Sequence, residues 1–332
     1  MTKRALLVST SNPYPVVKDG CQRLVRDYVD AMFCEHDVQF LHVTGESWSP
    51  LGLYRDGRRV DERVGLDRLR AEAFRFLLFI GFKATDFTAR LTSGWPSFCY
   101  TDTFPHPNVP SGTFRGILSH RTEAGAGSEH ILLVGGSFDD AVFRPARRDE
   151  DLVLSVGRID PTKGQLELVS GYRELVYEPF GLPLYLAGGA GDDAYHAAVA
   201  QHVDGVAVRS SIVDPAAPSG DVNWHSAAEL AELSNRARLF VSASPKESFG
   251  MAMVEALACG TTCVVNGDYW GFEEADLRPR VYGNITGKRG SVLELATDAL
   301  RQDVRIDASE WAGKYSLRTM REDVARFVDA RL

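Results

Sequence analysis

Apolar residues along this chain fall into two kinds of pattern. Some stand in short uninterrupted runs bounded by Gly, Pro, Asn or Asp, and others return every third or fourth position over longer stretches. The first kind reads as buried parallel strands and the second as crossover helices, so their alternation predicts an α/β chain built on parallel sheets. The strands read this way are residues 4–9, 96–100 and 130–134 in the first half, where 37–43 is added by its alternation, and 152–156, 183–187, 206–208, 239–243 and 262–265 in the second. A helix face follows the first strand through Cys21, Leu24, Val25, Tyr28, Val29, Met32 and Phe33, and Asp56-Gly57 between two short runs predicts a hairpin over 54–60. From 66 to 82 the residues Leu66, Leu69, Ala73, Leu77 and Ile80 predict another helix. With Arg68, Arg70 and Arg75 alongside, it reads either as a buried domain helix or as a peripheral contact with a membrane surface.

The second half is organised around Lys246-Glu247-Ser248-Phe249-Gly250-Met251 and the residues that follow as far as Gly260. Flanked by two strand runs, it reads as a loop feeding a helix whose apolar face is Met251, Val254, Leu257 and Ala258, with Gly260 at the C-terminal cap. Gly250 lets the backbone approach a ligand closely, and the helix start lies at the carboxyl end of a strand, where open α/β sheets bind ligands and free N–H groups favour an anion. Glu247 and Glu255 flank that anion site. Their separation would span about 12 Å along a helix, roughly the length of a sugar, a diphosphate and a ribose in line.

An earlier loop supplies positive charge. Strand 152–156 runs into Gly157-Arg158-Ile159-Asp160-Pro161-Thr162-Lys163-Gly164, which sets two cations beside a helix entry near Gln165 and suits neutralisation of a diphosphate. Gly188 and Gly191 make a glycine turn after strand 183–187, and Gly20 lies at the first strand-to-helix crossover. No metal is expected: Asp149-Glu150-Asp151 precedes a strand, whereas a metal-binding carboxylate pair would be wanted after one, where phosphates lie.

A length of 332 residues is comfortable for two cores. The net charge of −8 removes a whole-chain case for nucleic-acid binding. Cys21, Cys34, Cys99, Cys259 and Cys263 are scattered inside apolar runs and read as reduced core thiols rather than a disulfide framework or a zinc site. The first apolar run starts too early and is too short for a signal peptide, and none approaches the ~20 residues of a membrane span. The expected location is the cytoplasm, with a peripheral position at the inner membrane face as the variant.

Glu247 and Glu255, with Phe249-Gly250 between them and Glu-Ala-Leu-Ala-Cys-Gly after, resemble the E-x7-E motif of retaining glycosyltransferases of the GT-B fold, the family 4-like group. The resemblance is strong over most of 130–332 and in outline over 1–129. It implies two doubly wound Rossmann-like domains facing a cleft: 1–145 on the acceptor side, 146–310 binding the nucleotide sugar, and a C-terminal helix, 311–332, packing back on the first domain. It also implies a UDP- or GDP-type sugar donor, a hydroxyl acceptor (glycan, lipid-linked glycan or small natural product) and no cofactor. Glu247 would contact the donor sugar, Phe249, Gly250 and Met251 would hold the diphosphate by their N–H groups, and Glu255 would bind the ribose. Arg158 and Lys163 would bind the departing diphosphate, with Gly157 and Gly188 near the nucleotide and Gly20 against the sugar. The family's His near the end of strand 96–100 is replaced by Asp102, with His106 four residues on; Asp102 reads either as an analogous group or as a turn residue. A nucleotide-sugar-binding partner protein without transferase activity, and a sugar-nucleotide epimerase, are the alternative readings.

Overall fold

The computed structural model describes residues 4–11, 25, 37–45, 48–55, 58–61, 64–104, 108–109, 112–122, 130–134, 137–146, 149–189, 191–213 and 225–332. The chain divides into two compact units, Met1–Ser137 with Leu317–Leu332, and Phe138–Ser316. Residues after Ser137 belong to the second unit because Phe138 and Phe143 are buried in its core and the Phe138 amide donates to the Tyr315 carbonyl.

In the first unit, the described strands are β1 (Arg4–Ser9), β2 (Asp37–Val43), β3 (Pro50–Arg55), β4 (Arg58–Asp61), β5 (Phe76–Ile80), β6 (Ser97–Phe104), β7 (Gly116–Thr122) and β8 (Ile131–Leu133). They form one sheet in the order β4-β3-β2-β1-β5-β6-β7-β8. From β2 to β8 every neighbouring pair is parallel, and β3 and β4 add the expected antiparallel hairpin at one edge. The C-terminal helix Leu317–Asp329 belongs to this unit: Met320, Val324, Phe327 and Val328 join the core containing Leu7, Phe98 and Leu118. Gly116 makes room for it, since a Cβ there would lie 2.5 Å from the Phe327 ring.

The helix expected over 66–82 is corrected. It stops at Ala71, Ala73 turns the chain at a left-handed φ of 51°, and Phe76–Ile80 is a fully buried strand paired on both sides. Five consecutive large apolar residues cannot make a one-sided helix, but they suit a central parallel strand covered on both faces. The membrane-surface reading falls with it, because Arg68 pairs with Glu72, Arg75 pairs with Asp329, and the apolar run is inside. Among the described residues, no helix is long and apolar enough to cross a membrane.

In the second unit, the strands are β9 (Leu152–Val156), β10 (Leu184–Gly189), β11 (Val208–Val213), β12 (Ala237–Ser242), β13 (Lys246–Glu247), β14 (Cys263–Asn266), β15 (Asp268–Tyr269) and β16 (Tyr282–Asn284). Six form a parallel sheet in the order β11-β10-β9-β12-β14-β16, and β13 pairs with β15 in a separate two-stranded ribbon. The strand expected at 206–208 begins instead at Val208, because the Asp204 carboxylate accepts the Val206, Ala207 and Val208 amides and holds them in a turn. Core side chains fill both faces of the sheet. Its order is doubly wound: successive strands run outward from β9 to β11, and the next connection returns to place β12 on the other side of β9. The β9/β12 neighbourhood is therefore the topological switch point, where such sheets open a crevice at the carboxyl ends of their strands.

Candidate active site

Three loops meet at the carboxyl ends of β9, β10 and β12. The Gly157 amide donates to the Ala187 carbonyl (3.0 Å), the Ile159 amide to Gly189 (2.9 Å) and the Gly191 amide to Ile159 (3.0 Å). Gly188 must lack a side chain, since a Cβ would lie 2.0 Å from the Gly157 carbonyl oxygen. After Ile159, Asp160 caps the short helical turn Pro161–Lys163 by accepting the Thr162 amide (2.9 Å), with Pro161 preset for the first turn. Gly164 ends that turn at φ 70° and packs against the chain leaving β12, where a Cβ would come 2.5 Å from the Ala243 carbonyl oxygen.

Beyond β12, β13 places Lys246 and Glu247 opposite Asp268 and Tyr269 of β15, and the Trp270 amide donates to the Glu247 carbonyl (3.2 Å). Two glycines make this ribbon fit. A Cβ on Gly267 would be 2.1 Å from the Ser244 carbonyl oxygen, and one on Gly271 would be 1.8 Å from that of Ser248. Gly250 then takes a left-handed φ of 74° and opens the helix Met251–Ala258 without a side-chain cap. That leaves the helix start, with its positive dipole end, facing outward from the loop.

The charges expected at the site sit on these loops. Lys163 Nζ lies 2.5 Å from Glu247 Oε1, joining the loop after β9 to the loop after β12 across the switch point. Arg158 Nε pairs with Asp160, whose carboxylate also takes the Thr162 hydroxyl. Burial by itself would raise the Asp160 carboxyl, but the Thr162 and Arg158 hydrogen bonds and the Arg158 charge outweigh it and hold the group below the ordinary carboxylate value. Beneath the ribbon, burial pushes the Tyr269 phenol well up, and the nearby Glu247 charge adds to the effect.

Gly157, Arg158, Lys163, Gly188, Glu247, Gly250 and Met251 are thus brought to one end of one sheet. Phe249 differs from the expectation in its side chain. Its ring is buried, stacked on Phe272 at 4.6 Å and set edge-on to Tyr315 at 5.1 Å, so only its backbone faces the loop. Glu255 is 4% exposed, on a helix buried almost all round: Met253, Val254, Ala256, Leu257 and Ala258 are inside, while Met251 at the start is half-buried. The one-sided apolar face expected for this helix is replaced by burial on every side, as suits a helix this rich in apolar residues. Asp102 lies on β6 in the first unit, with its side chain outside the described residues. Gly20 and His106 also lie outside them.

Sequence reasoning gave no role of their own to Asp160, Gly164, Gly267, Tyr269 and Gly271. Asp-Pro at 160–161 was a legible signal, because that pair caps and opens a helical turn. The two glycines bracketing Asp-Tyr-Trp were legible as close backbone approaches, but what they approach is distant in sequence. Among the described residues, no group of three or more His, Cys, Asp or Glu side chains is arranged to hold a metal ion. What the site offers is cations, a helix start and a carboxylate at one crevice, a set able to bind an anionic diphosphate and contact the group attached to it.

Residues 139–275 match the family model described as glycosyl transferases group 1. The chain is 28% identical over 173 residues to the D-inositol 3-phosphate glycosyltransferase of Segniliparus rotundus, covering 45% of this chain and 36% of that protein. It is 30% identical over 150 residues to the mannosylfructose-phosphate synthase of Agrobacterium fabrum, covering 41% and 32%. The chain thus spans about a third of the length of the curated relatives it matches. Among solved structures it resembles Anabaena Alr3699/HepE in complex with UDP at a TM-score of 0.64, with 13% identity over 99% of this chain and 100% of that one. It also resembles the sucrose-phosphate synthase of Thermosynechococcus elongatus at 0.60, with 14% identity over 98% and 95%. These likenesses give the fold, α/β with two Rossmann-like units, the GT-B class.

Proposed function

We propose that this chain is a retaining, metal-independent glycosyltransferase that moves a sugar from a nucleotide-diphosphate donor to a hydroxyl acceptor. The observation that carries the reading is the meeting of Lys163 and Glu247 at the switch point of a doubly wound sheet, beside the Gly250 helix start. The family match over 139–275 covers both loops and supports it.

In this reading the diphosphate lies at the helix start, with Arg158 and Lys163 facing its oxygens. The sugar's anomeric carbon then sits near Glu247. As the bond from that carbon to the diphosphate oxygen breaks, positive charge grows on the sugar and negative charge on the leaving group. Glu247 stabilises the first and the cations the second, so both interactions strengthen toward the transition state. The acceptor oxygen bonds to the same face of the carbon, and its proton passes to the departing diphosphate oxygen, which preserves the anomeric configuration. Lys163 contacts Glu247, and in this reading donor binding exchanges part of that ion pair for a phosphate contact. Fixed cations and the helix dipole supply the neutralisation that a divalent ion provides elsewhere.

The test is a thermal-shift screen of UDP- and GDP-sugars, begun with UDP because the Anabaena protein of the same fold binds it, and run in EDTA. A stabilising donor is then taken into transfer or donor-hydrolysis assays with the product anomer assigned by NMR. Donor stabilisation and a retained anomer are expected. An inverted product, or turnover abolished by EDTA and restored by Mg²⁺ or Mn²⁺, would overturn the corresponding part of the reading.

A further inference from the structure

Arg158 is held from two directions. Its Nε pairs with Asp160, and its aliphatic chain crosses Gly191 so closely that a Cβ there would stand 2.5 Å from Arg158 Cγ, 2.6 Å from Cδ and 2.9 Å from Nε. Asp160 is itself immobilised: it is 5% exposed and also accepts the Thr162 amide and hydroxyl. The Arg158 side chain is 53% exposed, and among the described residues its Nε contact is its one ion pair. A guanidinium held through Nε keeps one terminal nitrogen on the same edge as the carboxylate and leaves the outward N–H groups of its terminal nitrogens free for a second anion.

We propose that Asp160 and Gly191 are positioning residues for Arg158, presetting its terminal nitrogens toward the phosphate oxygens of a nucleoside diphosphate. This rests on the functional reading above. Preorganisation is what makes the arrangement useful: a free arginine would lose side-chain entropy on binding the diphosphate, whereas this one has already lost it. The cap and the clamp can be separated chemically. Asparagine caps a helical turn about as well as aspartate, but it brings no charge to a guanidinium.

The experiment uses the full chain and its D160N, G191A, R158A and D160N/R158A variants, with UDP and GDP as probes in calorimetry and the Arg158 Nε–H followed by ¹⁵N-resolved NMR. The D160N variant is expected to bind the diphosphate about tenfold more weakly, the size of one charge-assisted hydrogen bond, with Tm within about 2 °C of the parent. Hydrogen exchange at Arg158 Nε is expected to speed up. G191A should show the same loss by displacing the arginine, and in the R158A background D160N should add nothing. An equal loss with and without Arg158 would make Asp160 only a helix cap and overturn the proposal, as would unchanged affinity in D160N. An unprotected Arg158 Nε–H in the parent protein would show that the clamp does not exist. A protected Nε–H released in D160N, with neither diphosphate bound by the parent, would instead sink the nucleotide-sugar reading and the purpose assigned to the clamp with it.

Discussion

Two of the glutamates that face cations, Glu72 in the first unit and Glu247 in the second, sit at opposite ends of their sheets. Glu72 precedes β5 at the edge where β1 starts with Arg4 and β2 with Asp37. It is 6% exposed and takes Arg4 Nη1 at 3.0 Å, Arg55 Nη2 at 3.3 Å, Gln39 Nε2 at 3.1 Å and the Arg68 guanidinium. Glu247 follows β12 at the carboxyl edge of the second sheet, and among the described residues its one ion pair is with Lys163. The saturated carboxylate lies where no ligand site is expected, and the sparsely partnered one lies at the crevice where a ligand can replace its partner. Ion-pair chemistry alone does not separate structure from function here; the end of the sheet does.

The sharpest test of that contrast is Glu247→Gln. On the proposed mechanism Glu247 faces a developing positive charge, and its loss should lower kcat by about 10²–10³-fold, some 3–4 kcal/mol, while calorimetric affinity for the free nucleoside diphosphate stays near the parent value. Intact turnover would move the reacting centre elsewhere.

Gly271→Ala attacks the same site without touching a charge. Its Cβ would collide with the Ser248 carbonyl, forcing the ribbon apart from the loop that carries Glu247 and costing about 3 kcal/mol of overpacking strain. A denaturant titration should show that loss, and an unchanged midpoint would mean that the ribbon is loose.

Glu72→Gln should do the reverse of Glu247→Gln, costing stability and not activity. Breaking a buried pair typically costs about 3–5 kcal/mol, but the arginines here are more than a third exposed, so about 2 kcal/mol is expected after solvent screening. Burial raises this carboxyl, yet the Gln39 and Arg68 hydrogen bonds and the Arg68 and Arg55 charges outweigh it, so the folded value lies below the ordinary 4.5. A depressed folded pKa contributes stability that is complete above the unfolded value and disappears as pH falls through the folded one. The stability gap between parent and variant should therefore be full at neutral pH and begin to close only as pH falls below the ordinary glutamate value; a gap that persists in strong acid would assign the effect to packing.

Glu255→Gln is the mildest of the four. If Glu255 holds the ribose, whose distance from the reacting carbon hardly changes, its loss should raise KM and weaken nucleoside diphosphate binding by about 1–2 kcal/mol with kcat nearly unchanged. A variant with parent nucleotide affinity and reduced turnover would exchange the roles given to the two glutamates.

How much could be read beforehand depended on whether the signal was local. Arg4–Ser9 and Leu152–Val156 were legible to their end residues as short, mostly apolar runs stopped by turn residues, and Asp37–Val43 by its alternation. The cation loop after β9 and the helix opened by Gly250 were legible for the same reason: each is a short segment whose glycines and capping residues act on near neighbours. Phe76–Ile80 was misread because Leu77 and Ile80 also satisfy a helical period, and a short apolar run does not by itself distinguish the two.

By itself, then, the sequence determined the α/β class, the parallel strands, the two loops that carry charge and the residue types within them, since all of these follow from interactions between residues close along the chain. Tertiary structure alone decided which charges meet. Lys163 and Glu247 are 84 positions apart, and their contact exists because the sheet places β9 beside β12. The requirement for glycine at 188 and 271 is likewise set by carbonyls of other segments, Gly157 and Ser248. The neutralisation of Glu72 by residues from three strands and a helix has the same origin. A long-range contact costs chain entropy that no local pattern records, and only the assembled core that brings the segments together can offset it.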